Sequence, residues 1–410
     1  MYRSALGEIS TDVAPVAMST GSAMLPRAGT FFVGAERSQG ILHKFQRKEQ
    51  HLSEVYSKHT ALCFSAKAFQ KTHPAKVKEG IRDADATMVS PMILGVADGV
   101  SQIEQYGIDA SLLPRELLRH CESLGMRQLI PDKKLAQKDS YQGPIPLLRQ
   151  AFKATKNLGS TTVVLAVLDN STMIHGKRHP MIAAITVGDC EMLVLRRVET
   201  EGSNLFEIIF HTEMQRIDGH AQSPLQLARV DGRIDPNFTD AVTVEVIERG
   251  SAVHCVSAYE GDVVIMGSDG VFDNLFLDEI IHLSNSILQP GMGSPLPQEA
   301  LAHLCRAIVM ASHSKSQRQA NGRLPECPIG HGGKVDDTSV VVAEVLEWTE
   351  EYKGRSGPQR RRKEQRGLWA CGGFECCGGV SEEEFDLNLP EPHSPLNTTP
   401  QPSNSNVRRR

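Results

Sequence analysis

The chain has 410 residues, of which 40% are hydrophobic, and a net charge of -5 from 44 basic and 49 acidic side chains. The length suits one large catalytic domain with tails, or two ordinary domains. So mild a charge imbalance argues against nucleic acid as the main partner. No run nears the eighteen apolar residues of a spanning helix, which argues against stable membrane insertion.

Residues 1–58 are of mixed composition and read as an N-terminal segment, partly disordered or targeting. Arg3 and Arg27 among serines and alanines suit a mitochondrial presequence, whereas Glu8 and Asp12 oppose one. From 59 to 347 apolar runs alternate with turn residues, as in one folded domain. Strands are expected at 92–97 (MILGVA), 161–168 (TTVVLAVL), 181–187 (MIAAITV), 191–195 (EMLVL) and 205–211 (LFEIIFH). Others are expected at 241–247 (AVTVEVI), 263–268 (VVIMGS) and 339–345 (SVVVAEV). All are rich in Val and Ile and bounded by Gly, Asp or Asn. Helices are expected at 111–124, with Pro114 in the first turn, and at 145–154, 277–288 and 297–314. In the last, Leu301, Leu304, Ile308 and Ala311 recur at helical spacing. Strands separated by a few turn residues imply antiparallel pairing, so packed antiparallel sheets with helices outside are expected.

Past Trp348 the composition shifts to a basic run, a Gly/Cys-rich stretch and a Pro/Ser-rich end. Residues 348–410 therefore read as a disordered tail. Its basic run at 360–363 is either a solvated linker or a nuclear import signal. The nine cysteines are odd in number and mostly scattered, which fits reduced thiols inside a cell. Cys371, Cys376 and Cys377 read as exposed tail thiols, the last two also as an acylation pair.

Four acidic motifs stand at the ends of apolar runs: Gly95-Val96-Ala97-Asp98-Gly99, Val187-Gly188-Asp189, Ser268-Asp269-Gly270-Val271-Phe272-Asp273, and Val335-Asp336-Asp337-Thr338. An earlier stretch, Asp83-Ala84-Asp85-Ala86, precedes Met88 and Val89. A carboxylate at a strand end is held in place, and several together repel unless cations lie between them. Hard divalent ions such as magnesium or manganese want such oxygen donors. Glycine after aspartate lets the backbone come close enough to add a carbonyl. A single Asp-Gly after a strand is more often only a turn.

Taken in order, DADA, VADGVS, LGSTTVVL, TVGDCEM, SDGVFDN and DDTSVVV resemble the motifs of the PPM, or type 2C, metal-dependent protein phosphatases over about residues 60 to 347. The segments THPAKVKEG and GSDGVFDNLFLDEI further resemble a branch that includes mitochondrial matrix phosphatases. The resemblance implies an α+β fold, a four-layer αββα sandwich of two antiparallel sheets flanked by helices. It implies two manganese or magnesium ions, with a weaker third. Asp98 would bridge the ions, Gly99 would give its carbonyl to the second, and Asp269 and Asp336 would complete the first. Asp189 and Asp273 would join Asp269 at the third, and Asp337 would stand just behind Asp336. Asp85 is the choice for the early ligand, with Asp83 its competitor, and Ala84 stands where the family usually has Glu. Val100 stands where other members carry a histidine thought to be the general acid.

The implied reaction is hydrolysis of phosphoserine or phosphothreonine by a metal-activated water, on phosphoprotein substrates, by a monomer. The compartment is mitochondrial or cytoplasmic, or nuclear through the basic run. The alternatives are a catalytically silent phosphatase-like binding module and a hydrolase of small phosphoesters. Arg82 and Lys78 are the nearby candidates for steering a phosphate, and His331 lies near the expected mouth.

Overall fold

The computed structural model describes residues 60–131, 140–174, 177–200, 203–215, 224–234, 241–242, 244–319 and 322–349. The N-terminal segment before residue 59, the basic run at 360–363 and Cys371, Cys376 and Cys377 lie outside them. No helix among the described residues is long and apolar enough to cross a membrane.

Strands β1 (Leu62–Lys71), β2 (Ala86–Val89), β3 (Ile93–Gly99) and β4 (Gly159–Asp169) are followed by β5 (Met181–Val187), β6 (Glu191–Thr200) and β7 (Ser203–His211). Then come β8 (Leu227–Val230), β9 (Ala252–Ser257), β10 (Val263–Gly267) and β11 (Thr338–Glu347). One sheet runs β1-β11-β10-β6-β7. In the other, β4 pairs with β3 on one side and with both β5 and β8 on the other; β2 flanks β3 and β9 flanks β5. Every one of these pairings is antiparallel.

The central strands are buried on both faces, and the alternation of their side chains builds the layers. In β11, Val341, Ala343 and Val345 enter the core between the sheets, with Val264 and Met266 of β10 and Met192 and Val194 of β6. Leu94 and Val96 of β3 and Val164, Ala166 and Leu168 of β4 meet them from the second sheet. The opposite faces of β6, β10 and β11, with Leu193, Ile265 and Val342, pack on Leu301, Leu304 and Ile308. Those three residues line one side of the helix Gln298–Ser314. Beyond the second sheet lie the helices Leu112–Gln128 and Pro144–Ala154. Gly95 leaves room there for Leu118, because a Cβ would stand 2.9 Å from its Cδ2. The four layers are thus helix, sheet, sheet and helix, an α+β sandwich. Each fully buried Val, Leu, Ile or Met contributes roughly 1.5–3 kcal/mol, so the double-faced strands dominate stability.

The expected strand at 241–247 is a correction. Among the described residues of this segment only Ala241–Val242 pairs, with Arg229 and Val230, and Val246–Gly250 closes into a π-type helical turn. That turn buries Ile247 completely and lets Ser251 Oγ donate to its carbonyl at 2.5 Å, so a core contact overrides strand propensity.

His313, in the last turn of Gln298–Ser314, is 3% exposed. It shares a hydrogen bond with Thr338 Oγ1 at 3.1 Å and meets the His73 ring edge-on at 4.9 Å. Burial, then the positive charge of His73, pull its pKa down to about 4. The unfolded chain therefore binds the extra proton between pH 6.5 and about 4, and stability is lost as pH falls through that window. Relative to His313→Gln, the wild type should lose up to about 3 kcal/mol between pH 7 and pH 4 in denaturant titrations. Parallel pH profiles would overturn this.

Candidate metal centre

The acidic stretches meet at one end of the sandwich, and strand register shows why. Ala86 of β2 lies opposite Ala97 of β3, so the next rung sets Asp85 across from Asp98. Thr162 of β4 lies opposite Asp98, and Val163 opposite Val187. Asp189, two residues beyond β5, therefore reaches the same edge. In the other sheet Gly267 pairs with Val340, so Asp269 just after β10 and Asp336 and Asp337 just before β11 are neighbours. Ser339 N donates to Ser268 Oγ at 3.1 Å and ties the two loops together. A direct bond joins the sheets at this end: the Ala84 N–H donates to Asp337 Oδ2 at 3.2 Å.

Asp83 and Asp85 part company here. Asp83 Oδ1 accepts the N–H of Asp85 at 3.0 Å, a local turn. Asp85 is 1% exposed and faces Asp98, with the hydroxyls of Ser339 and Ser268 beside it. Burial and the negative charge of Asp83 hold the Asp85 carboxyl well above the usual carboxylate range. Asp98 is held well above it too, by burial and by Asp85, Asp269 and Asp336. Asp269 is raised by burial and by Asp336, with Lys334 offsetting part of the rise. Asp273 and Asp189 are also buried.

Two lysines stand among these carboxylates. Lys334 Nζ touches Asp269 Oδ2, lies 2.9 Å from Asp336 Oδ2 and is 3.6 Å from Asp273 Oδ2. Lys76 Nζ lies 3.1 Å from Asp336 Oδ1 and 2.7 Å from Asp337 Oδ2. Burial opposes the ionised form of Asp336, but these two ammonium groups outweigh it and hold its pKa below the usual value.

Among the described residues, no three Asp, Glu, His or Cys side chains stand ready around a metal-sized space. The donor set nonetheless fits divalent cations. It is all oxygen, its members repel one another, and Asp269 Oδ1 and Asp337 Oδ1 are buried without hydrogen-bond partners. Orphaned buried carboxylate oxygens are costly, and a cation between them removes the cost.

The candidates for steering a phosphate lie at the surface. The Arg82 side chain is 82% exposed and reaches only Asp109, at 3.6 Å, while Lys78 and His331 are exposed. The cations that enter the cluster, Lys76 and Lys334, escaped the sequence reading. A lysine at Lys76-Val77-Lys78 or Gly333-Lys334-Val335 looks like any solvated charge. The only available signal was that Lys334 precedes a paired aspartate by two residues. Gly159-Ser160-Thr161 opens β4, and Thr161 Oγ1 donates to the Asp98 carbonyl at 2.8 Å.

No family model matches the chain. It is 28% identical over 305 residues to "Probable protein phosphatase 2C 1" of Oryza sativa subsp. japonica, spanning 70% of this chain and 79% of that protein. It is 29% identical over 303 residues to "Probable protein phosphatase 2C 26" of Arabidopsis thaliana, spanning 72% of this chain and 88% of that one. Among solved structures it is similar to "X-ray structure of the photosystem II phosphatase PBCP", at 23% identity and a TM-score of 0.46, over 68% of this chain and 98% of that one. The ordered acidic motifs and these relatives agree. The chain is similar over about 70% of its length to proteins named type 2C protein phosphatases, the family its ordered motifs resemble.

Proposed function

We propose that this chain hydrolyses phosphoserine and phosphothreonine in proteins at a site for two divalent ions, manganese or magnesium. The observation that carries the reading is the crowding of Asp85, Asp98, Asp269 and Asp336 from two sheets, with Asp269 Oδ1 buried and unpartnered among them. Asp98, Asp269 and Asp336 would hold the first ion. Asp98, Asp85 and the Gly99 carbonyl would hold the second, while Asp189 and Asp273 with Asp269 offer a weaker third place. Once bound, such ions make a water nucleophilic near neutral pH and neutralise charge on phosphoryl oxygens.

The protein's own part is positioning. Asp98 projects from the end of a doubly flanked strand, and its backbone is fixed by Thr161. Gly99 is wedged so tightly that a Cβ would stand 2.4 Å from the Ala110 carbonyl oxygen and 2.7 Å from that of Ala84, which fixes where its own carbonyl points. Asp337, gripped by Lys76 and the Ala84 N–H, anchors the loop that presents Asp336. Val100 has no proton to give, so the leaving alkoxide would take its proton from a water or from another side chain.

Purified protein should release phosphate from a phosphothreonine peptide with manganese or magnesium and stop when the ions are chelated. Release that survives chelation, or no release from folded protein with either ion, would sink the reading. Faster turnover of a free sugar phosphate than of the peptide would shift the substrate class to small esters.

A further inference from the structure

Lys334 lies deep in the cluster, and its backbone is held on both sides. Asn274, 1% exposed, accepts the Lys334 N–H on Oδ1 at 2.7 Å and donates from Nδ2 to the Lys334 carbonyl at 3.1 Å. The Gly333 N–H donates to the Lys315 carbonyl at 2.9 Å. A Cβ on Gly333 would stand 2.4 Å from Asn274 Oδ1 and 2.6 Å from Lys315 Cβ, so the loop cannot relax there. The backbone is therefore fixed, and the four-carbon stem alone sets where the ammonium sits. It sits against carboxylates of three residues, Asp269, Asp273 and Asp336.

We propose that Lys334 is a tethered cation that fills the Asp269–Asp336 place in the metal-free protein and must leave it before a divalent ion can bind there. The inference rests on the metal-site reading above. One ammonium and one divalent ion compete for the same oxygens, because Asp269 and Asp336 cannot enclose both. The Lys334 side chain is 34% exposed, so it has a way out to solvent. Lys76 is the contrast: its side chain is 11% exposed, and it lies between Asp336 and Asp337. Lys76 is a permanent strut, whereas Lys334 is a displaceable occupant. The device keeps the crowded carboxylates compensated when metal is scarce and lowers metal affinity in exchange. The apparent affinity is reduced by the fraction of molecules in which the site is closed to the ion.

The test is calorimetric titration of manganese into the full chain after chelation, comparing wild type, Lys334→Gln and Lys334→Arg. Lys334→Gln should bind manganese about tenfold more tightly if the lysine holds the place nine-tenths of the time. Its metal-free form should melt lower than wild type, and manganese should raise its melting temperature by more. Lys334→Arg, which keeps the charge, should not gain affinity. Unchanged or weaker binding in Lys334→Gln, with wild type binding normally, would overturn the tethered-cation role and leave the metal site standing. No manganese binding by wild type would instead remove the metal-site reading itself. If Lys334→Gln needs metal to fold, the rate at which excess chelator strips manganese from the loaded protein decides. Slower stripping than from wild type supports the proposal, and equal or faster stripping defeats it.

Discussion

Asp98→Asn should reduce turnover of a phosphothreonine peptide on the order of a thousandfold, the scale set by losing one charge-stabilising group at a reacting centre. Asp98 is the one carboxylate that feels Asp85 from its own sheet and both Asp269 and Asp336 from the other. An amide of the same shape keeps one donor oxygen and loses the charge that would serve two ions together. The fold should survive, because Thr161 grips the backbone carbonyl of residue 98, not its side chain. The metal-free variant should be at least as stable as wild type, since one of several mutually repelling groups is gone. Initial rates with saturating manganese, alongside thermal melts without metal, check both halves. Turnover above about a tenth of wild type would contradict a bridging role for Asp98.

Gly270→Ala carries the largest expected cost to stability. A Cβ there would lie 2.1 Å from the Asp337 carbonyl oxygen, 2.8 Å from Thr338 Oγ1 and 3.1 Å from the Asp337 carbonyl carbon. The obstacle is mostly backbone, at the start of a strand buried on both faces, so it cannot swing aside as a side-chain tip could. Overpacking of this kind should cost about 3 kcal/mol or more in denaturant unfolding. It should also force the loops bearing Asp269 and Asp336 apart, so the melting shift produced by manganese should shrink. Gly291→Ala, where nothing lies within 4 Å, is the control expected to change neither quantity by much. A Gly270→Ala protein with wild-type stability would show that the two loops are free to separate.

The parts of this arrangement that were readable in the sequence are those with local causes. Val-Ala-Asp98-Gly99 and Gly-Ser-Asp269-Gly270 announce strands that end on a carboxylate, because the glycine that lets backbones touch is adjacent in sequence. The strands 181–187 and 263–268 were expected almost as found, since Val and Ile suit a surface buried on both faces. Three other features depended on partners far along the chain. Strand β1, with polar Ser65 and Lys67 interrupting its apolar residues, becomes a strand through ten rungs against β11. The placing of Asp85 across from Asp98 follows from the register of β2 on β3. Lys76 meets Asp336 across 260 residues, and no spacing rule reveals such a meeting. The segment 241–247 failed for the same reason, with the burial of Ile247 deciding its shape.

The pairing of β1 with β11 has a bearing on how the protein is made. The domain's opening strand at Leu62–Lys71 has no neighbour on that side until its closing strand at Thr338–Glu347 is synthesised. The loop that carries Asp336 and Asp337 immediately precedes that closing strand. Until the ribosome has released it, the growing chain carries Asp85, Asp98 and Asp269 without the carboxylates that complete the set. If the proposed site takes its ions as argued, an ion would be captured firmly only by a finished domain, and its capture would help hold the first and last strands in one sheet. On that reading, loading with metal would mark completed synthesis, set apart from nascent chains by the order in which the strands emerge.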